Sequence, residues 1–387
     1  MNYNVISAIK HNDMDKLRKL AKNPKHIKPD YFTCRCGCGK KFEEKNPLYE
    51  AIDQDNLEAA QILVEAGTPI SAVSVRRAYR GHKKIFEYFL EKEPHCINRT
   101  KTELEMNLLG DEIGFEGESW SPERVSYLLE KGANPNFTCQ YYVGDYWRKK
   151  SVMERVIKKD SPKLLQLILD KSKYAIDLDW YHWGDYEGNP FTLFSIASDK
   201  MKLFLLDKGA KADFIEAPSL AVLNKAIEKG YDFKAVRKVK RFERGDDIKD
   251  WLLWQTLKKG DKKVAEVLVD HGADIKTKKY PLVEAIVKSD NTSLMSWALS
   301  KGLQISKPEE TIETACEKGN AAMLEVLLQN GCKSNSLQMM ILDARYIDGE
   351  TRLALLKVHE KYGKEMPRKV SAHKKALPQN VKENQKE

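Results

Sequence analysis

The sequence predicts an all-α repeat protein, a solenoid of roughly ten to eleven helical hairpins with long finger loops between some of them. One observation is a layout that recurs along the chain: a short helical stretch, a polar turn, a longer helical stretch and a closing glycine. Its clearest copies span residues 47–70, 281–305 and 311–332. A second observation is the spacing of the closing glycines. Gly272, Gly302 and Gly331 follow one another at intervals of about 30 residues, near the period of a stacked helical repeat.

Apolar residues within the repeats support the same fold, because they recur at helical spacing in both stretches of a repeat. Two repeats show this with Ala51, Ala59, Ile62 and Leu63, and with Ala285, Met295, Ala298 and Leu299. We expect alanine on the first helix to let neighbouring backbones approach, and the closing glycine to adopt the left-handed conformation. A single hairpin buries too little apolar surface to fold alone, so contacts between adjacent repeats must supply the stability.

The composition limits the class of protein. The chain has 387 residues, 42% of them hydrophobic and 32% charged, and contains no run of about eighteen apolar residues that would predict a membrane span. Its first residues lack the pattern of a secretory signal. Seven cysteines are an odd number without the spacing of a disulfide framework, which favours a reducing, cytoplasmic location. The net charge of +9 suits an acidic protein partner or nucleic acid.

Several segments resemble ankyrin repeats, whose consensus has a Thr-Pro-Leu-His-x-Ala opening, a Gly-His or Gly-Asn turn and a Leu-Leu-x-x-Gly-Ala close. The matching segments are the openings at 46–51 (NPLYEA) and 280–285 (YPLVEA), the turns at 81–82 (GH) and 319–320 (GN), and the closes at 128–133 (LLEKGA) and 205–210 (LLDKGA). The resemblance covers about residues 1–365 and implies a scaffold that holds another protein and masks it through its concave face and finger loops. The degenerate repeats resemble those of bacteria, phages and large viruses, where such proteins act as effectors or inhibitors in the host cytoplasm.

The resemblance also divides the chain. We expect residues 1–33 to form an N-terminal capping repeat and residues 34–46 a Cys-rich loop insertion. Residues 47–365 are the repeat array with its C-terminal cap, and residues 366–387 a disordered basic tail. Within the array, the acidic and Gly-rich stretch 109–120 is expected to be a long loop of the fourth repeat.

The Cys-rich loop carries three thiols at alternate positions, Cys34, Cys36 and Cys38. Thiolates are preferred zinc ligands, and His26 would supply a fourth, so the loop is a candidate metal site. Structural zinc sites are usually built from two Cys-x-x-Cys pairs, and no second pair occurs. The alternative interpretation is a Gly-rich surface loop with reduced thiols, and no other cofactor is indicated.

Two aromatic insertions follow neighbouring repeats, at the place where ankyrin repeats project a β-hairpin finger. The first finger (residues 139–150) and the second finger (residues 179–189) contain four aromatic side chains each in otherwise polar loops. Tyrosine and tryptophan are favoured anchors of protein interfaces. The predicted partner-binding residues are therefore Tyr141, Tyr142, Tyr146, Trp147, Arg148, Trp180, Tyr181, Trp183 and Tyr186. The alternative is that the rings pack back on the solenoid.

A basic strip at residues 234–244 has two interpretations as well. Its charges fall mostly on one helical face and its apolar residues on another, which favours an amphipathic outer helix of a degenerate repeat. The second interpretation is a phosphate- or acid-binding strip. Together with the aromatic fingers and the basic tail, it keeps binding to nucleic acid or a nucleoprotein complex as the alternative function.

An enzyme is not indicated. The sequence contains no phosphate-binding loop, His-Glu-x-x-His helix, Gly-x-Ser-x-Gly elbow or kinase signature. Its histidines are dispersed, and His82 and His271 occupy positions that the repeat pattern explains. Repeats fill so much of the chain that no segment of about 100 residues remains for a catalytic domain. The sequence therefore predicts a non-enzymatic binding scaffold, without naming its partner or its oligomeric state.

Overall fold

The structure is a computed structural model that describes residues 3–33, 41–101, 105–114, 119–143, 146–183, 190–231 and 248–362. The described chain divides into two compact units. The N-terminal unit contains the described residues up to 215 together with 224–231. The C-terminal unit contains residues 216–223 and 248–362.

Helices dominate both units. In chain order the first thirteen are α1 Tyr3–Lys10, α2 Met14–Ala21, α3 Pro24–Ile27, α4 Pro47–Asp53, α5 Leu57–Glu65, α6 Ala72–Gly81, α7 Lys83–Lys92, α8 Leu108–Ile113, α9 Pro122–Glu130, α10 Val152–Lys158, α11 Pro162–Lys171, α12 Asp199–Asp207 and α13 Leu220–Glu228. The remaining eight are α14 Ile248–Lys259, α15 Lys262–Asp270, α16 Leu282–Ser289, α17 Thr292–Ser300, α18 Pro308–Glu317, α19 Ala321–Gln329, α20 Leu337–Asp343 and α21 Gly349–Tyr362. The predicted all-α class is confirmed.

The helices form antiparallel pairs, and nine complete pairs lie within the described residues. A tenth repeat contributes α12, preceded by a turn at 193–197 in place of a first helix, and an eleventh contributes α13. The turn before α12 still buries Leu193 and Phe194 as a helix would. The expected number of roughly ten to eleven repeats is therefore met.

Each unit stacks its helix pairs in two layers. In the N-terminal unit, the first helices of successive repeats pack as α1 on α4 and α4 on α6, and the second helices as α2 on α5 and α5 on α7. In the C-terminal unit, α14, α16, α18 and α20 pack in sequence, and α17, α19 and α21 do so beside them. Each helix pair thus buries its apolar residues against its neighbours along the chain, as a repeat array requires.

A common turn joins the two helices of a repeat. The residue before the cap of the second helix has a left-handed backbone, and the next residue caps that helix with its side chain. These two-residue turns are Asn12–Asp13, Asp55–Asn56, Asp160–Ser161, Gly260–Asp261, Asp290–Asn291 and Gly319–Asn320. Short polar residues and glycine tolerate the left-handed conformation best, which explains the composition of these turns.

The closing glycines end the second helices as the sequence predicts. Gly67 follows α5 with a φ of 98°, and the next amide, from Thr68, donates to the carbonyl of Leu63 at 2.9 Å. The same left-handed conformation recurs at Gly132, Gly209, Gly230, Gly272, Gly302 and Gly331. Of the predicted packing residues, Ala51, Ala59 and Leu63 are fully buried, whereas Ile62 is only half-buried.

The expected long loop at residues 109–120 is partly wrong, because α8 occupies Leu108–Ile113. Asn107 caps this helix, and Leu108, Leu109 and Ile113 are buried. The acidic residues that indicated a loop are instead bonded to the preceding repeat. Asp111 accepts from Arg76 at 3.0 Å, and Glu112 accepts from the Tyr79 hydroxyl at 3.0 Å.

Three two-stranded antiparallel hairpins are added to the helices. Their strands are β1 Asp30–Thr33 with β2 Lys41–Lys45, β3 Thr138–Val143 with β4 Tyr146–Ser151, and β5 Tyr181–Trp183 with β6 Pro190–Thr192. The first hairpin flanks the Cys-rich segment, and the other two coincide with the aromatic fingers. The hairpin form that the resemblance implies for both fingers is therefore present.

The last repeat leaves apolar side chains on the surface. Leu342 on α20 and Leu353 on α21 are 47% and 53% exposed, and Met339 on α20 is 58% exposed. In α21, Lys361 and Tyr362 donate hydrogen bonds to Glu325 of α19. The described part of this cap is therefore not uniformly polar.

Candidate binding surface

The first finger is a regular ladder from its base to its tip. Thr138 pairs with Ser151 at the base, and Val143 pairs with Tyr146 beside the two tip residues that lie outside the described part of the chain. Tyr142 stands opposite Trp147, and Tyr141 stands opposite Arg148. The register thus brings all five predicted residues of this finger into the outer half of one hairpin.

The second finger has a shorter ladder. Tyr181 pairs with Thr192, and Trp183 pairs with Pro190. Residues 184–189 lie outside the described part, and the predicted residue Tyr186 is among them. Trp180, the residue before the first strand, is half-buried, and its carbonyl accepts from the Leu193 amide at 3.3 Å.

The base of the first finger is part of the core of the N-terminal unit. Cys139 is only 5% exposed, and burial raises the pKa of its thiol, so it stays protonated. Ser151 ends the second strand and caps α10 by accepting the Glu154 amide at 2.9 Å. The Val152 amide, at the start of α10, donates to the carbonyl of Phe137 at 3.0 Å, so the base of the hairpin is bonded to that helix.

A side-chain bond joins the bases of the two fingers. Asn136, two residues before the first finger's strand, donates through Nδ2 to the carbonyl of Ala175 at 2.7 Å. Ala175 lies in the linker that leads into the second finger. The distance is that of a strong hydrogen bond, so the bond fixes the position of one linker relative to the other.

The second finger is in turn tied to the linker of the following repeat. Asp179 accepts the Lys211 amide at 2.8 Å, and the Lys211 ammonium lies 3.5 Å from the same carboxylate. At the other end of the finger, the Thr192 hydroxyl donates to Asp213 at 2.7 Å. Both strands of the second finger therefore start from fixed positions.

A buried asparagine network precedes the fingers, and sequence reasoning missed it. Asn107, which is fully buried, donates to the side chain of Asn98 at 3.1 Å and to the carbonyl of Asn134 at 2.9 Å. The Asn134 amide donates to Asn98 at 2.7 Å. Asparagines in three separate linkers carry no periodic signal, so only their contacts identify them as a group.

The candidate zinc ligands are divided by the structure. Cys34, Cys36 and Cys38 lie outside the described residues, between Thr33 and Lys41, which pair with each other. His26 lies in α3, with Nδ1 3.3 Å from the Leu20 carbonyl, and β1 separates it from the cysteines in the chain. Within the described ranges, no group of three His, Cys, Asp or Glu side chains could hold a metal ion.

The two histidines that the repeat pattern explained make structural contacts. His82 Nδ1 lies 3.2 Å from the Asp55 carboxylate in the turn of the preceding repeat. His271 Nδ1 lies 2.8 Å from the Val267 carbonyl at the end of α15. The basic strip 234–244 and the tail 366–387 lie outside the described residues. In the described part, no helix combines the length and the apolar character needed to cross a membrane.

These features define a class of protein: an array of helix pairs with left-handed glycine closes and projecting hairpins, which is the architecture of ankyrin repeats. No protein-family description matches the sequence, and no curated protein does. Among solved structures, the chain is similar to the ankyrin repeat domain of Bcl-3, described as a unique member of the IkappaB protein family. The identity is 13%, the match covers 82% of this chain and 100% of that one, and the TM-score is 0.26. The assignment of the fold therefore rests on the helix pairs, turns and hairpins of this chain.

Proposed function

We propose that this protein is a non-enzymatic scaffold that binds a partner protein, with the two aromatic fingers as its anchors. The observation that carries the proposal is the bond between Asn136 and the Ala175 carbonyl, which links the bases of the two fingers. Fixed bases lower the entropy that an interface loses on binding, so side chains on such hairpins make effective anchors.

The sequence supports the aromatic character of this surface. The first finger sets Tyr142 opposite Trp147, and the second contains Tyr181 and Trp183 in one short strand. Interface energy is usually concentrated in a few Trp, Tyr and Arg residues. A scaffold that covers the working surface of its partner would act as an inhibitor or effector. In a viral or bacterial setting it would do so in the cytoplasm of the host.

The test compares a finger variant with a matched surface variant. A partner is first identified by affinity purification of the full chain from its native cell and mass spectrometry. The variant Trp147→Ala/Trp183→Ala should weaken that complex by about 2 kcal/mol or more, with urea unfolding unchanged. The control is Tyr3→Ala/Tyr346→Ala, since those rings are 58% and 94% exposed and lie outside the fingers.

Two results would contradict the proposal. If the finger variant unfolded at much lower urea concentration, the rings would be core residues that pack on the solenoid. If the captured partner were a nucleic acid, binding would fall steeply with salt concentration because counterions are released. A protein interface with apolar anchors has a shallow salt dependence.

A metal role for the Cys-rich loop is a separate proposal. The pairing of Thr33 with Lys41 closes a hairpin around residues 34–40, so Cys34, Cys36 and Cys38 belong to one short connection. Three thiolates suit zinc, which they would hold as a structural ion. His26 would complete the set only if the connection folds back past β1.

A further inference from the structure

A pair of stacked aromatic rings lies in the C-terminal unit, far in sequence from the fingers. Trp254 on α14 and Tyr280, just before α16, have ring centroids 5.7 Å apart and planes inclined by 16°. Both residues are half-buried. Stacked pairs of this kind are stable, so the two rings form a fixed ledge at the surface.

Two lysines lie close to these aromatic residues in the chain. Lys258 lies one helical turn after Trp254 on α14, and its ammonium lies over the Trp254 ring at 5.9 Å from the centroid. Lys278 precedes Tyr280 by two residues in the same linker. Both lysines are exposed, and no ion pair to a carboxylate is found for either of them within the described ranges.

The nearby acidic side chains are occupied by structural bonds. Asp250 accepts the Asp274 amide at 2.7 Å, and Asp274 accepts the Lys276 amide at 2.8 Å. Asp261 caps α15 by accepting the Val264 amide at 3.1 Å. On the neighbouring helix α16, Glu284 is paired with Lys288 at 2.5 Å. None of these carboxylates forms an ion pair with Lys258 or Lys278 in the described part of the chain.

We infer that Trp254, Lys258, Lys278 and Tyr280 form a second docking site, which takes an acidic peptide segment of a protein partner. Carboxylates of the segment would pair with the two ammonium groups. This inference rests on the proposed function, because it assigns part of the partner's chemistry.

The arrangement of the rings favours a peptide over nucleic acid. Single-stranded nucleic acid binds to aromatic side chains by stacking a base on a free ring face. Trp254 already has Tyr280 stacked against its ring and the Lys258 ammonium over it. Little of the indole is left for a base, whereas a carboxylate needs only the lysine.

The experiment uses the full chain and a fluorescent ten-residue peptide of alternating Glu and Leu at low ionic strength. Anisotropy should show binding by the native protein, and Lys258→Glu/Lys278→Glu should weaken it by about tenfold or more. The matched control is Lys301→Glu/Lys333→Glu, which changes the net charge equally at two exposed lysines elsewhere in the unit. It should weaken binding less than about threefold, since only the long-range field changes.

Several outcomes would overturn the inference. These are an absence of peptide binding by the native chain, an equal loss in both lysine variants, or tighter binding of an oligothymidine probe that depends on Lys258 and Lys278. Failure of the proposed function is distinguished with the captured partner. If Trp147→Ala/Trp183→Ala abolishes that complex while Lys258→Glu/Lys278→Glu leaves it intact, the fingers bind and this site does not.

Discussion

Asn320 joins two consecutive repeats through the two ends of one side-chain amide. Its Oδ1 accepts the Met323 amide at 2.7 Å and caps α19, while its Nδ2 donates to the Asp290 carboxylate in the preceding turn at 2.7 Å. Equivalent bonds link Asn56 to Asn12 at 2.9 Å and Asn291 to the Gly260 carbonyl at 2.9 Å. Asparagine side chains therefore connect neighbouring turns at these three positions.

The two ends of Asn320 can be separated by mutation. Asn320→Ser keeps an oxygen that caps α19 but loses the donor to Asp290, so it should cost about 1 kcal/mol of the free energy of unfolding. Asn320→Ala loses both and should cost about 2 kcal/mol. Urea unfolding of the full chain measures both variants. Asn335→Ala, at an exposed asparagine in the next linker, is the control and should be near neutral. Equal stability of all three variants would show that the connection contributes nothing.

Gly319 is restricted by its backbone and by its neighbours. It has a φ of 72°, and a Cβ there would lie 2.5 Å from Cγ2 of Thr351. Gly331 has a similar φ of 85° but nothing within 4 Å of the added carbon. We expect Gly331→Ala to cost about 1 kcal/mol from the backbone alone, and Gly319→Ala about 2 kcal/mol more from the contact.

A compensating change tests the steric cause at Gly319. Thr351→Ser removes the Cγ2 methyl group and keeps a small polar side chain at the start of α21. The double variant Gly319→Ala/Thr351→Ser should recover part of the loss in thermal unfolding, relative to the sum of the two single variants. Strict additivity would show that the Thr351 methyl group does not cause the cost of Gly319→Ala.

The repeats could be predicted from the sequence, whereas many contacts at the surface could not. Alanine, leucine and closing glycine recur with the repeat, so α4–α5 and α16–α19 could be predicted from periodicity. At residues 109–120 the acidic residues indicated a loop, and the reason for the error is that Asp111 and Glu112 bond side chains of the previous repeat. Contacts between repeats have no local signal.

The same limit applies to the docking surfaces. The fingers were identifiable because insertions with many aromatic residues interrupt a regular pattern. Trp254 and Tyr280 were not identified, because the repeat pattern had already assigned both to the scaffold. Their stacking joins a residue of α14 to one just before α16, and only the fold brings them together.

The cysteines should divide into two reactivity classes. Burial raises the pKa of the Cys96 and Cys316 thiols to about 12, and raises the pKa of Cys139 and Cys332 as well. The thiolate is the reactive form, so none of the four should react with Ellman's reagent at pH 8 in the folded protein. All four should react after unfolding in guanidinium chloride.

This assay also tests the metal proposal for the Cys-rich loop. If Cys34, Cys36 and Cys38 hold zinc, these three thiols of the metal-free protein should react with Ellman's reagent, which releases thionitrobenzoate, and zinc should protect them. The triple variant Cys34→Ser/Cys36→Ser/Cys38→Ser should then show no zinc-dependent change. His26→Ala separates the two forms of the proposal, because it should reduce the protection only if His26 is the fourth ligand.

Loss of the hydrogen bond between the finger bases should increase local opening of the backbone near Ala175. Asn136→Ala removes the bond to the Ala175 carbonyl and should cost about 1 kcal/mol of stability. Amide hydrogen exchange should become faster in the linker that contains Ala175, with the helices of the C-terminal unit unchanged. Asn224→Ala, at an exposed position of α13, serves as the control. Faster exchange across the whole chain would mean that Asn136 supports global stability instead.

Several bonds between consecutive turns share one direction. The donor belongs to the later repeat and the acceptor to the earlier one in the bonds from Asn320 to Asp290, from Asn291 to the Gly260 carbonyl and from Ser198 to Asp160. A ribosome completes the acceptor first. At these three positions an emerging helix pair therefore meets a turn that has already been synthesised, and the bond can form in the order of translation.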